Sequence, residues 1–319
     1  MVGFSDFVPE LEQILLPNSP HNILLISGIG GIGKSTLAAA IARSLISQPK
    51  FQLFTWINAD KLINESPHLE IQIDLLRNHL QSEFLAQDKN SPAALQDCLA
   101  SQTCLVVIDG INEESPYDTF LKELQQFPQS TKFIITSRRR PTSEQSSYQF
   151  SLGELNEENA ARLIDVHSNQ IGLGEQADFL AKNFTEIYKW IGGNPLAIKL
   201  MIGLLHTYPL QTILKDLKRV KIKDTEKMYR YIYWQAWNPL DESAKKLLAA
   251  MPLIAEEGAG ISMLLFITKM DEEQIYEAVQ SLLTRSLIEY RGAPDIHRYG
   301  IHHLTRSFLQ TEIVKWPKS

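Results

Sequence analysis

Cysteine is scarce in this chain: among 319 residues only Cys98 and Cys104 occur, too few for a disulfide framework or a thiolate metal centre. Both read as small apolar residues near a buried strand, a usage that fits a reducing compartment. Long apolar runs are also lacking. The most apolar stretch, 196–205, is interrupted by Lys199 and falls short of the roughly 20 residues a membrane span requires. The opening residues, with Asp6, Glu10 and Glu12 close together, do not have the pattern of a signal peptide. A cytoplasmic location without a membrane partner is therefore expected. Basic excess is missing too: 31 Lys and Arg stand against 37 Asp and Glu, a formal net charge of −6, so no global field draws in DNA or an anionic membrane. No internal repeat or low-complexity segment is apparent. What remains is an ordinary globular composition, 44% hydrophobic and 21% charged, with length for two domains, or three small ones, at about 150 residues each.

Strand-like and helix-like segments alternate over the first 140 residues or so, the pattern of a parallel sheet with crossover helices. The spacing predicts strands at 22–27, 51–58, 104–108 and 132–136, and helices at 35–46 and 69–84. The turn-rich stretch 140–147, with Pro141 and three serines, is the first boundary, and the strands are expected to stop there. Helices are then predicted at 157–166, 176–190 and 195–206, the last with Pro195 in its first turn. Residues 215–227 form a charge-rich stretch with Lys218, Arg219, Lys221 and Lys223, read as a solvated helix end or linker. Helices at 241–251, 263–268 and 271–285, two strand-like runs around Gly292 to Asp295, and a last helix from His303 make a winged-helix pattern. The expected architecture is α/β: a parallel sheet with helices on both faces (1–148), a small helical bundle (149–222) and a winged-helix domain (223–319).

The chemistry is concentrated in Gly28-Ile29-Gly30-Gly31-Ile32-Gly33-Lys34-Ser35-Thr36, which has the full phosphate-loop spacing between a predicted strand and a predicted helix. Its glycines let backbone N–H groups turn toward phosphate oxygens, and the following helix adds the positive end of its dipole. Lys34 is placed to neutralise the β- and γ-phosphates and Ser35 to ligate Mg²⁺. The apolar strand Leu105-Val106-Val107-Ile108 ends in Asp109, the expected second anchor for Mg²⁺. Gly110 follows where vigorous ATPases place a glutamate, so hydrolysis is expected to be slow. Glu113 is the candidate for polarising water, with an exposed loop glutamate as the alternative. Arg138, beyond the strand Phe133-Ile134-Ile135-Thr136, is the candidate γ-phosphate sensor, while Arg139 and Arg140 read as a basic surface loop.

Together these motifs resemble, over essentially the whole chain, the nucleotide-binding core of STAND-class signalling NTPases of the NB-ARC type. Val2-Gly3-Phe4 resembles the family's adenine-contacting opening segment, and 51–56 its second strand ending in Trp. Gly193-Asn194-Pro195-Leu196-Ala197 resembles the motif whose proline packs on adenine. Ile301-His302-His303-Leu304 stands where the family carries Met-His-Asp, whose histidine contacts the β-phosphate of ADP. His303 departs from that pattern. So does 109–113, which resembles the related NACHT segment with Asn112 in place of one acid.

The resemblance implies ATP or ADP with Mg²⁺ as cofactors. Val2, Gly3, Phe4, Gly30, Gly31, Ile32, Gly33, Lys34, Ser35, Thr36, Arg138, Pro195, Leu196 and His302 would bind nucleotide. It further implies a closed ADP form, an ATP form that assembles as a homo-oligomer, and effector and repeat-type sensor domains outside this chain. The rival is a winged-helix ATPase acting on DNA. Its recognition helix, 271–286, carries Asp271, Glu272, Glu273 and Glu277 against Arg285, so DNA binding is not expected. A metal site at His297, His302 and His303 has no partner at ligand spacing.

Overall fold

The computed structural model describes residues 2–4, 7–59, 68–85, 91–111, 117–138, 147–219, 225–255, 258–291 and 297–314. The chain forms two compact units, Met1–Gly153 and Glu154–Ser319.

The first unit opens with helix α1 (Val8–Ile14) and strand β1 (Ile23–Ser27), followed by α2 (Lys34–Ile46) and β2 (Leu53–Asn58). Helices α3 (Leu69–Phe84) and α4 (Pro92–Ser101) precede β3 (Cys104–Ile111), α5 (Tyr117–Leu124) precedes β4 (Thr131–Ser137), and β5 (Tyr148–Ser151) ends the unit. All five strands are parallel in the order β2-β3-β4-β1-β5. β1 and β4 are buried along their whole length, as expected of central strands covered on both faces.

Period-2 alternation deals their side chains to two separate cores. Ile23, Leu25, Val106, Ile108, Phe133 and Ile135 face α3, α4 and α5 through residues such as Leu76, Leu99 and Phe120. Leu24, Ile26, Leu105, Val107 and Ile134 face α1 and α2 through Leu11, Leu37 and Ile41. Helices on both faces of a parallel sheet is the fold class expected from the sequence. The crossover order places β4 between β1 and β3, which brings the carboxyl ends of those three strands side by side.

β5 corrects the sequence reading, in which strands stop at residue 140. It pairs with β1 from Leu24↔Tyr148 to Ser27↔Ser151, so a boundary between 148 and 149 would cut it. Its four residues are largely half-exposed, and a short edge strand of this kind carries little periodicity of its own.

The second unit begins with α6 (Glu157–Gln170), capped by Asn156 Oδ1 accepting from Asn159 N–H at 2.9 Å. The single helix expected over 176–190 is two, α7 (Ala177–Lys182) and α8 (Phe184–Ile191). They part at Asn183, whose φ of −100° and ψ of 6° leave the helical range. α9 (Pro195–Leu204) follows, then α10 (Leu210–Arg219) and α11 (Thr225–Trp237).

Of the stretch 215–227, read as a solvated helix end or linker, 215–219 are the end of α10 and 225–227 the start of α11, while 220–224 lie outside the described residues. Leu210, Ile213, Leu214 and Leu217 are buried at helical spacing, so the lysines of α10 occupy its other face. The expected division at 222/223 lies outside the described residues. Helices α12 (Glu242–Ala250), α13 (Ile261–Thr268) and α14 (Glu272–Thr284) precede an antiparallel ribbon of β6 (Glu289–Arg291) and β7 (Arg298–Gly300), and α15 (His303–Phe308) runs on into a π-helical turn, Leu309–Ile313. The ribbon's turn, 292–296, lies outside the described residues.

Candidate nucleotide-binding site

The apolar β1 delivers the chain to the sheet's carboxyl edge, where 28–33 turn back into α2. Two of the turn's glycines lie in the left-handed region, Gly31 at φ +72° and Gly33 at φ +103°, where a side chain is strained. Gly33 is also the N-cap of α2 and has no side chain to cap it. The helix's first turn is thus dressed by the backbone alone, the arrangement that receives anions.

Lys34 opens α2 and is 8% exposed. Its Nζ donates to Gly28 O at 2.8 Å and Ile29 O at 3.0 Å, inside the loop. Burial, and then the neighbouring Arg138 charge, bring its ammonium down to about 8, while Asp109 pulls the other way. A buried ammonium lowered by its surroundings, with the exposed Arg138 guanidinium nearby, fits an anion of high charge, which would stabilise the charged Lys34.

Ser35 Oγ donates to Asp109 Oδ1 at 2.8 Å. Thr136 Oγ1 donates to the same oxygen, and Gly110 N–H donates to Thr136 Oγ1 at 2.8 Å. Ser35 and Asp109 present a hydroxyl and a carboxylate, hard oxygen donors that suit Mg²⁺ and would hold it beside the phosphates. Gly30, Gly31, Ile32 and Thr36 belong to this same loop and first helical turn. Arg138 follows β4 directly.

Phe4, 5% exposed, packs with Ile32 and Leu152. A Cβ placed on Gly33 would lie 2.7 Å from Phe4 Cζ. Phe4 is thus brought to the loop together with the opening Val2 and Gly3, the latter at φ +82°. Sequence reasoning missed this contact with Gly33, and it missed Thr136. Nothing local marks Thr136 beyond its place two residues before Arg138; the strand order is what carries it to Asp109. Glu113, Asn112, Arg139 and Arg140 lie outside the described residues.

The remaining sequence-derived residues lie in the second unit. Asn194 caps α9, its Oδ1 accepting from Leu196 N–H at 3.1 Å and Ala197 N–H at 3.3 Å, so Pro195 and Leu196 form the first helical turn. Gly193 donates to Glu154 Oε2 at 3.0 Å and accepts from Leu155 N–H at 2.9 Å. His302 caps α15: its Nδ1 accepts from Leu304 N–H at 3.2 Å, which puts the neutral ring's proton on Nε2. Among the described residues no group of three or more His, Cys, Asp or Glu is arranged to hold a metal ion, and no helix is long and apolar enough to cross a membrane.

Comparison with known proteins agrees with this geometry. The family model described as NB-ARC domain matches residues 4–171. Among curated proteins, Disease resistance protein RPH8A of Arabidopsis thaliana is 27% identical over 222 residues, which cover 66% of this chain and 24% of that protein. Transcription activator GutR of Bacillus subtilis (strain 168) is 22% identical over a 344-residue alignment covering 95% of this chain and 40% of its own length. Among solved structures, the Signal Transduction ATPase with Numerous Domains (STAND) protein with a tetratricopeptide repeat sensor, PH0952 from Pyrococcus horikoshii, matches with a TM-score of 0.57 and 20% identity. That match covers 94% of this chain and 42% of the other, and it shows the fold. The chain thus spans about a quarter of the length of the resistance protein it matches.

Proposed function

The chain belongs to the NB-ARC domain family of STAND-class P-loop NTPases, and from that membership we propose that it is a signalling switch set by adenine nucleotide. ADP holds a closed form in the cytoplasm; exchange for ATP releases the winged-helix part, 223–319, and permits assembly with further copies; slow hydrolysis resets it. Effector and sensor domains stand outside this stretch, as the greater length of its relatives suggests. The observation that carries the reading is the loop itself: buried Lys34 between the loop carbonyls, with Ser35 on Asp109.

In this reading Lys34 and the α2 N-terminus take the phosphates, and Arg138 reads the γ-phosphate from the end of β4. Bound Mg²⁺ supplies charge neutralisation at the phosphate oxygens. Slow turnover follows from Gly110, which gives Asp109 no neighbouring carboxylate to activate water. By resemblance to the family, Val2, Gly3 and Phe4 of the first unit, and Pro195 and Leu196 of the second, are the residues assigned to adenine. His302 donates from Nε2 to the β-phosphate of ADP while Nδ1 holds the start of α15. Nucleotide state is thereby coupled to the second unit as a shift between two populations.

GutR, named a transcription activator, favours a second reading in which the output is transcription. Direct DNA contact through α14 is opposed by the exposed Glu272, Glu273 and Glu277, which repel phosphates. The switch is tested by the ADP off-rate. His302→Ala should release ADP faster than wild type with its fold intact; an unchanged off-rate would contradict the closed form.

A further inference from the structure

β3 and β4 pair in register through Ile108↔Ile135 and again at Ile111↔Ser137. Between these pairs β3 spends two residues, Asp109 and Gly110, against one, Thr136, which is a β-bulge. Gly110 sits there at φ +88°, and a Cβ on it would meet nothing within 4 Å. Its backbone angle, not crowding, is what calls for glycine.

The bulge turns the Gly110 N–H onto Thr136 Oγ1 at 2.8 Å and brings the Asp109 carboxylate over the same hydroxyl. An amide can only donate, so the Thr136 oxygen accepts from Gly110 and its single proton goes to Asp109 Oδ1. Thr136 is 1% exposed, and its β-branched side chain has few rotamers to choose from. The direction of this chain of bonds is therefore set by the backbone. Ser35, the other donor to Oδ1, differs: it is exposed and can turn its oxygen lone pairs to a cation. Thr136 is too enclosed to do so.

We propose that Thr136 is a positioning residue that holds the Asp109 carboxylate for the Mg²⁺ of a bound nucleotide, remaining on Oδ1 when Ser35 leaves it for the metal. The inference rests on the nucleotide-binding reading above. Partners of this kind around metal-binding carboxylates typically change metal affinity by about 10–100-fold when removed.

The test is release of a fluorescent ADP analogue from the full chain as Mg²⁺ is titrated, with excess EDTA as baseline, for wild type, Thr136→Val and Thr136→Ser. Valine keeps the shape and deletes both bonds; serine keeps the hydroxyl. The expected result is that Thr136→Val needs about tenfold more Mg²⁺ for half-maximal retention while its off-rate in EDTA stays at the wild-type value, and that Thr136→Ser stays near wild type. Should valine prevent folding, judged by thermal melting, Thr136→Ala is read the same way. A wild-type Mg²⁺ midpoint in the hydroxyl-free variant would overturn the proposal, as would an off-rate raised equally in EDTA and in Mg²⁺, the mark of a merely structural role. Wild-type protein that holds no analogue at all would instead overturn the nucleotide-binding reading.

Discussion

The ring of Phe4 occupies the space that a side chain on Gly33 would need, its Cζ lying 2.7 Å from an ideal Cβ there. The opening segment and the phosphate loop are therefore packed as one piece, and Gly33 is required twice, for this contact and for its φ of +103°. Gly33→Ala should cost about 1–3 kcal/mol through the backbone alone, with the Phe4 clash added. A double-mutant cycle with Phe4→Leu, read by denaturant unfolding, should show coupling between the two sites. Strict additivity would contradict the contact.

Lys34 gives nucleotide binding a pH dependence with a definite sign. In the free protein its ammonium titrates at about 8 because burial and then Arg138 lower it; phosphate beside it would raise that value. Affinity is then level well below pH 8 and falls as pH rises through 8 toward the higher pKa of the complex. Calorimetric titration of ADP between pH 6.5 and 9.5 should show the fall in wild type and a flat, weak response in Lys34→Met. Fold stability runs the other way: with the folded pKa below the usual 10.5, the cost of the buried ammonium is fully present below about 8 and fades between 8 and 10.5.

His167 makes an acid-side prediction within the second unit. Its Nε2 lies 2.8 Å from Ser286 Oγ, and burial, then Lys199, lower its pKa to about 4, with the Gln170 side chain opposing. A depressed folded pKa means the stabilisation is complete above the ordinary 6.5 and is lost as pH falls from there through 4, worth roughly 3 kcal/mol in all. Urea midpoints across that window should fall more steeply in wild type than in His167→Gln. Parallel curves would contradict a neutral buried ring.

Gly193 is the tightest of the motif glycines. A Cβ there would stand 2.0 Å from Leu155 O, a backbone atom that cannot swing aside, so Gly193→Ala should displace Pro195 and Leu196 and cost about 3 kcal/mol. Thermal melting measures it; an unchanged melting temperature would place the 192–195 turn elsewhere.

Much of the first unit is written locally. The run 105–108 ending in Asp109, the glycines before Lys34, and the helical spacing of 69–84 each state their structure within a few residues, because burial on both faces of a parallel sheet leaves continuous apolar runs. β5 does not, since four half-exposed residues acquire their identity from pairing with β1. α10 was obscured for a different reason: its lysines share the segment with Leu210, Ile213, Leu214 and Leu217, and charge counting outweighed the spacing of the leucines. Thr136 and the Phe4–Gly33 contact were not readable at all. Both depend on which strands and segments lie adjacent, a tertiary fact that neither composition nor periodicity encodes.

If the loop 28–36 holds adenine nucleotide, purified wild-type protein should release stoichiometric adenine nucleotide, chiefly ADP, on denaturation, identified by chromatography, and Lys34→Ala protein should release none. Equal retention by the two, or none by wild type after mixing with ADP and Mg²⁺, would rule out nucleotide binding by this loop.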